Sequence, residues 1–386
     1  MVLVTGGTGL LGTHLLHALL STGHQVRAIH RTTSNREHTE KLLHQWRTDY
    51  DAGETNWSAL FPNGIERLAI ETQEVQSRDT LPPRRTGSRK RANNNTTAHV
   101  TENPKHTDNY GSLEWFLADV NNVPQIEDAY QGITAVFHCA ASLSDENPDY
   151  DESVRINKEG TANVVNLCLH HDIPLCHTSS VATLGDPLPG KPINEEDFFN
   201  LDADHGVYAL TKYGAEMEVW RGTQEGLRAT IVNPAVILGT GFYKTGSGGL
   251  VARIAKGMNW AASGTIPLVD VRDTVYAMLL LMHDQVWEQR FVLISGAPKY
   301  AEFVKMIQRA AGKKESLMPV PRWATWLGLR FGSLVRLFGG RFPLTRDRRR
   351  SLHEDTQYDG SLITKEHGLQ YRSLEDSVRW VTDSLR

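Results

Sequence analysis

Thr5-Gly6-Gly7-Thr8-Gly9-Leu10-Leu11-Gly12 follows the apolar run Val2-Leu3-Val4 and leads into Leu15-Leu16 and Leu19-Leu20. Glycine recurs at positions 6, 9 and 12. A side chain at Gly6 would obstruct a tight turn. One at Gly9 would block backbone approach to a pyrophosphate, and one at Gly12 would hold the next helix off the sheet. The stretch predicts a strand, a turn and a helix with its leucines on one side, ending at Gly23. Val26 to Ile29 predicts a second strand and completes a βαβ unit. The free N–H groups at the start of that helix would face the phosphates of a dinucleotide. Gly6, Thr8, Gly9, Leu10, Leu11 and Gly12 are therefore the phosphate-side candidates.

The second strand bears on which dinucleotide. An acid near its end commonly bonds a ribose 2′-hydroxyl. Here the strand ends Ile29-His30-Arg31, with no acid. The Arg31 guanidinium suits a 2′-phosphate instead, so NADP is expected over NAD.

Working outward, the next strand comes only at Glu114 to Ala118, a long gap for a compact α/β unit. Glu40 to Trp46 predicts a helix and Ile65 to Ile70 a strand. The stretch 76–110 turns polar, with Pro82-Pro83, Arg84-Arg85, Arg89-Lys90-Arg91 and Asn93-Asn94-Asn95. It is expected to be a disordered or loosely attached insertion. Alternation then resumes. Ala135 to Cys139, Leu175 to Ser179, Ala229 to Val232 and Phe291 to Ile294 predict strands. Glu152 to His170, Tyr208 to Glu225 and Tyr300 to Ala311 predict helices. This is the pattern of an α/β fold, a Rossmann-type doubly wound parallel sheet with a smaller C-terminal substrate-binding region. Residues 1–235 form the dinucleotide-binding domain. Residues 236–386 are mainly the substrate region, with about 269–311 packing back on the first domain.

The chain has 386 residues, enough for one large or two fused domains, and 40% are hydrophobic. The formal net charge of −4 gives no general attraction for nucleic acid. Cys139, Cys168 and Cys176 lack metal-ligand spacing and lie in apolar stretches. They are expected to be buried thiols in a reducing compartment, with no metal site. The chain opens directly into a strand, and the cytoplasm is the expected location. Residues 322–341 combine Trp323, Trp326, Leu327, Phe331, Leu334, Leu337 and Phe338 with Arg330, Arg336 and Arg341, a poor spanning helix. That segment is expected to pack over the substrate pocket, with peripheral membrane contact as the alternative. Phe242, Tyr243, Trp260, Trp323 and Trp326 are candidates for an apolar site. Gly246, Gly248 and Gly249 suggest a mobile segment or lid. Ser373-Leu374-Glu375-Asp376 predicts a capped terminal helix.

Tyr208 and Lys212 stand four residues apart, on one face of a helix. A nearby ammonium stabilises phenolate, which makes a tyrosine a usable general acid or base near neutral pH. Upstream, Thr178-Ser179-Ser180 ends a predicted strand, on the side where parallel sheets bind ligands. A hydroxyl there can hold a substrate oxygen beside Tyr208.

These motifs in this order resemble those of the extended short-chain dehydrogenase/reductases, in the NAD-dependent epimerase/dehydratase group. The resemblance covers nearly the whole chain except about 76–110. Leu117-Ala118-Asp119-Val120 resembles the segment whose Asp and following backbone contact adenine. Val136-Phe137-His138-Cys139-Ala140-Ala141 resembles the strand whose small residues, here Ala140 and Ala141, line the adenosine side. Asn157 falls in a helix segment that resembles the one with a polar residue behind the active site. Asn233-Pro234-Ala235-Val236 resembles the turn that meets the carboxamide, with Pro234 and Val236 as candidates. Val269 to Asp273 resembles a segment beside the substrate domain. Asp119 and Asp273 have a second reading as helix N-caps. The resemblance implies Ser180, Tyr208 and Lys212 as catalytic residues, with Ser179 as the neighbour that could exchange roles with Ser180. Ser179, Tyr208 and Lys212 are also cofactor candidates.

Three functional readings follow. A reductase or alcohol dehydrogenase, similar to dihydroflavonol reductases and 3β-hydroxysteroid dehydrogenases, would act on a small carbonyl or alcohol substrate. A nucleotide-sugar epimerase would use the same residues with retained NAD. A sugar dehydratase fits less well, because Val181-Ala182 follow Ser180 where such members carry Asp-Glu. A non-catalytic dinucleotide-binding regulator is the third reading. A homodimer paired through helices including that of Tyr208 is expected by analogy.

Overall fold

The structure is a computed structural model and describes residues 1–51, 110–142, 150–186, 190–327 and 346–386. The expected strand at 65–70, all but Tyr110 of the 76–110 stretch, and residues 328–341 lie outside the described residues.

Seven strands form one parallel sheet: β1 (Val2–Thr5), β2 (Val26–His30), β3 (Leu113–Leu117), β4 (Ala135–His138), β5 (Leu175–Thr178), β6 (Ala229–Pro234) and β7 (Gln289–Leu293). Their spatial order is β7-β6-β5-β4-β1-β2-β3. Registers such as Val4 beside Ala28 on one side and Phe137 on the other fix β1 between β2 and β4. Strands buried on both faces read as unbroken apolar runs, which is why Val2-Leu3-Val4 was legible.

Successive β1 side chains enter different cores, as a pleated strand requires. Val2 and Val4 join α1 (Leu10–Ser21), α2 (Arg36–Asp51) and α7 (Val271–His283). Leu3 joins the opposite core with α3 (Val123–Asp128), α4 (Gly160–His170) and α5 (Val207–Gln224). A third cluster packs α6 (Gly246–Lys256), α8 (Tyr300–Ala310) and α9 (Leu374–Asp383) together. Among the described residues no helix is long and apolar enough to cross a membrane.

Several local expectations change. The helix expected from Glu152 to His170 is interrupted. Tyr150–Val154 is α-helical, Arg155–Glu159 forms a π-helical turn, and α4 follows. The Thr161 hydroxyl donates to the Asn157 carbonyl at 2.5 Å within this wider turn. Asp119 is not the cap of α3. Asn122 directly precedes the first turn and accepts from the Gln125 N–H. Asp273 is not the cap of α7 either. That helix starts earlier, and Asp270 caps it through the Arg272 N–H at 2.8 Å. Gly246, Gly248 and Gly249 open α6 rather than forming a loop. A Cβ on Gly248 would lie 2.1 Å from the Phe242 carbonyl oxygen, so glycine lets the helix start against that turn. Trp260 and Trp323 are more than 60% exposed, and Trp326 is exposed as well, so these three do not build an apolar pocket. The expected cap of the terminal helix holds, with the Ser373 hydroxyl accepting from the Asp376 N–H at 3.1 Å.

The C-terminal segment is tied to the sheet. Asp273, 1% exposed, accepts from the Arg372 backbone N–H at 2.8 Å and pairs with the Arg372 guanidinium. Burial pushes the Asp273 carboxyl up to about 6, against the opposing pull of Arg372. The folded state thus holds an extra proton between the unfolded value near 4 and about 6, and that contribution is lost as pH rises through the folded value. Arg372→Met leaves this carboxylate buried without its cation and should cost about 3–5 kcal/mol at neutral pH. Urea denaturation should show the deficit shrinking as pH is lowered toward 5, because Asp273 can then be buried protonated.

Candidate active site

A cleft of about 1610 Å³ opens at the C-terminal ends of the strands. It is centred where the strand order reverses between β1 and β4, the usual ligand position in open α/β sheets.

The glycine turn forms one wall. Gly6 has φ +71°, and a Cβ there would lie 2.6 Å from the Ala140 nitrogen and the Cys139 carbonyl carbon. A Cβ on Gly12 would lie 2.2 Å from the Gly6 carbonyl oxygen. Gly9 differs, because its added Cβ would meet only the Gly6 oxygen at 3.5 Å and otherwise face open space. Gly9 caps α1 without a side-chain bond, so the first-turn N–H groups are left for a ligand. A backbone surface kept bare by glycine, at the start of a twelve-residue helix, fits a pyrophosphate. Thr8, Leu10, Leu11, Asp119, Val120, Ala140 and Ala141 line the same cleft. The Asp119 carboxylate accepts from the Asn121 backbone N–H at 2.9 Å and side-chain amide at 3.0 Å.

Arg31 also lines the cleft, and so does Ser34, which the sequence reading missed. The two belong to one turn. The Ser34 N–H donates to the Arg31 carbonyl, and the Ser34 hydroxyl accepts from the Arg31 N–H, each at 3.0 Å. A hydroxyl three residues after the arginine was the available signal.

The catalytic candidates meet at the other wall. Tyr208 lies half-buried in the first turn of α5 and lines the cleft. One turn later Lys212 is 2% exposed, and its Nζ donates to the Thr178 carbonyl at 2.6 Å. Burial lowers the ammonium to about 8, opposed by the negative charge of Glu216. Leaving β5, Ser180 adopts extended backbone, and its hydroxyl accepts from the Ala182 N–H at 3.2 Å, starting the 3₁₀ turn Val181–Thr183. Ser179 is committed elsewhere, its hydroxyl donating to Glu216 Oε2 at 2.5 Å. Both serines border the cleft, but Ser180 keeps its O–H free of a protein acceptor among the described residues. Pro234 and Val236 complete this wall.

Asn157 is not part of the cleft wall. Its amide accepts from the Ser142 N–H at 2.6 Å and donates to the Ser142 carbonyl and the Thr211 hydroxyl. It braces the loop after β4 against α5, and the π-helical turn brings it there. The far end of the cleft also differs from expectation. Phe242 lines it, but so do Lys244, Arg253, Arg350, Asp186, Asp204 and Glu354. Charges from loops and helix ends far apart in the sequence converge there, a coincidence that no local pattern announced.

The two serines should separate by stability. Ser179→Ala strips a donor from a buried carboxylate and should cost about 1–3 kcal/mol. Ser180→Ala removes only a cap on a short turn and should cost about 1 kcal/mol or less. Equal losses in thermal denaturation would contradict the division of roles.

Comparison with known proteins agrees with this architecture. The NAD dependent epimerase/dehydratase family matches residues 2–63 and 83–293. A Synechocystis protein named for dihydroflavonol 4-reductase is 25% identical over 395 residues, covering 98% of this chain and 93% of its own. Sterol demethylase protein B of Methylococcus capsulatus is 24% identical over 392 residues, covering 98% of this chain and 97% of its own. The fold is also that of Thermus thermophilus UDP-glucose 4-epimerase, solved with NAD. There the TM-score is 0.65 at 18% identity, over 100% of this chain and 98% of that one. With a family match spanning more than half its length, and a glycine turn, sheet order and cleft to go with it, the chain belongs to the NAD-dependent epimerase/dehydratase family.

Proposed function

We propose that the chain is an NADP-dependent oxidoreductase that moves hydride between its cofactor and a secondary alcohol or ketone of a small molecule. The observation that carries this reading is the convergence of Ser180, Tyr208 and Lys212 on the cleft walled by the glycine turn. A bound nicotinamide supplies the hydride donor or acceptor. In the reductive direction the Tyr208 phenol gives its proton to the substrate oxygen, while the Ser180 hydroxyl orients that oxygen. The Lys212 ammonium stabilises the phenolate left behind. Oxidation reverses each transfer. The Synechocystis and Methylococcus relatives, one named for a reductase, support the oxidoreductase reading over the regulator.

Arg31 and Ser34 support the choice of NADP, since guanidinium and hydroxyl together suit a 2′-phosphate. The charged far end of the cleft favours one second reading, a nucleotide-sugar epimerase, whose substrate would engage Lys244 and Arg253. The proposed location is the cytoplasm, in keeping with the free thiols of Cys139, Cys168 and Cys176. A homodimer through α5 completes the proposal, and light scattering on the purified chain tests it.

Nucleotide released on denaturation separates the two chemistries. Near-stoichiometric NAD would favour the epimerase, whereas exchangeable NADP fits the reductase. Arg31→Ala should raise the Kd for NADPH about tenfold, the loss of one charge-assisted contact, and hardly alter that for NADH. Equal effects on both would rule out the assignment of Arg31. Tyr208→Phe should abolish turnover without loss of fold.

The pH profile gives a further check. Reductive kcat/KM should fall above pH of about 8 as Lys212 loses its charge. Stability should move the other way. The folded value lies below the unfolded 10.5, so the unfolded chain binds more protons between about 8 and 10.5 and folding gains with rising pH there. Turnover and thermal stability, measured across that window, should therefore diverge.

A further inference from the structure

Glu216 has no part in the chemistry given to Ser180, Tyr208 and Lys212, yet its surroundings are built with unusual completeness. It is fully buried, one helical turn beyond Lys212 on α5. Its Oε2 accepts from the Ser179 hydroxyl at 2.5 Å, the Thr183 hydroxyl at 2.6 Å and the Asn233 amide at 2.9 Å. Its Oε1 accepts from Arg290 at 3.0 Å and the Trp220 indole at 3.3 Å. Five donors saturate a carboxylate, which offers about four lone-pair sites. One of those donors is the Arg290 guanidinium, so the carboxylate is also one half of a buried ion pair.

Lys212 is the complementary case. It is buried, its Nζ bonds a carbonyl oxygen, and among the described residues no carboxylate lies within ion-pair distance of it. The groups packed around it are poor counter-charges. Cys139 lies beyond β4 with its thiol pushed up to about 11 by burial, and His138 and His177 are kept neutral by burial. Tyr208 on its own helix is the group it serves. The carboxylate whose charge bears on Lys212 is that of Glu216, four residues further along α5 and itself shared with the Arg290 guanidinium.

We propose that Glu216 is a positioning residue that acts through Lys212: its buried carboxylate keeps the Lys212 ammonium charged beside Tyr208. The same carboxylate anchors the Ser179 and Thr183 hydroxyls on either side of the turn that carries Ser180. Arg290 tempers it. That guanidinium also donates to the Glu195 and Asp197 carbonyls, so the strength of the counter-charge at Lys212 depends on how β7 and the 195–197 loop are packed. The inference rests on Lys212 serving Tyr208 as proposed above.

The test is a lysine side-chain NMR titration of the full chain without nucleotide, with Lys212→Arg identifying the signal. Glu216→Gln keeps the shape and removes the charge. It should lower the Lys212 midpoint by about one unit, a tenfold change in its protonation equilibrium. Glu216→Asp retains the charge and should return the midpoint toward that of the natural chain. Arg290→Gln removes a competing cation and should raise the midpoint, which keeps the proposal testable if Glu216→Gln does not fold. A merely structural carboxylate would alter thermal stability and leave the Lys212 midpoint in place. That outcome in a folded Glu216→Gln chain, or an Arg290→Gln midpoint that fails to rise, overturns the proposal. Failure of the proposed function is seen separately, as full turnover retained by Lys212→Met, and would leave the titration result standing.

Discussion

The architecture depends on one backbone crossing. At the end of β1 the chain turns so tightly that the Gly12 position lies against the Gly6 carbonyl, where a methyl group would come within 2.2 Å of the oxygen. This contact seats α1 on the sheet and aims its first N–H groups across the end of β1. It also brings Gly6 against the backbone of Cys139 and Ala140 after β4. The ends of β1 and β4 are thus held together, and the cleft begins just beyond them. Packing at van der Waals density leaves no slack for a larger residue at either glycine.

The rest of the cleft is held by polar groups buried behind it. Thr5 and Thr161 bracket the His138 ring at 2.7 and 2.9 Å, which joins β1, β4 and α4. Asn157 ties the loop after β4 to α5, and Glu216 ties α5 to β5, β6 and β7. Each network links elements that the sheet alone would leave to slide. A buried polar group left without a partner carries a desolvation penalty, so such networks select one arrangement more sharply than apolar contact does. The catalytic candidates sit at the ends of these ties. Their relative position is thus set by groups that do not take part in the chemistry.

The C-terminal region is attached by a similar principle. Asp270 and Arg272 form a buried pair at the start of α7, and the Arg272 guanidinium lies 3.8 Å from the ring centre of Trp380 on α9. Asp273 holds Arg372 just ahead of that helix. The sequence places both aspartates in a segment beside the substrate region and offers only Asp273 as a cap, but the two divide the work differently. Asp270 caps the helix, and Asp273 fastens the chain end that covers it. A one-turn uncertainty in where α7 starts decided which aspartate did which.

The sequence by itself determined the fold class, the glycine turn and the Tyr208–Lys212 pair. These are local facts. A parallel strand buried on both faces reads as an apolar run, and a glycine spacing reports sterics within one turn. Two residues four apart on a helix share a face whatever surrounds them. What only the tertiary structure decided was nonlocal. The different hydrogen bonding of Ser179 and Ser180 turned on a carboxylate more than thirty residues away. The role of Asn157 turned on a π-helical turn, and the charged end of the cleft on side chains from separate elements. Solvent access separated the exposed tryptophans from the buried aromatics, and exposure is not encoded in residue type. Pairing over long sequence separation leaves no period to read, so the network that positions the site became visible only once the chain was folded.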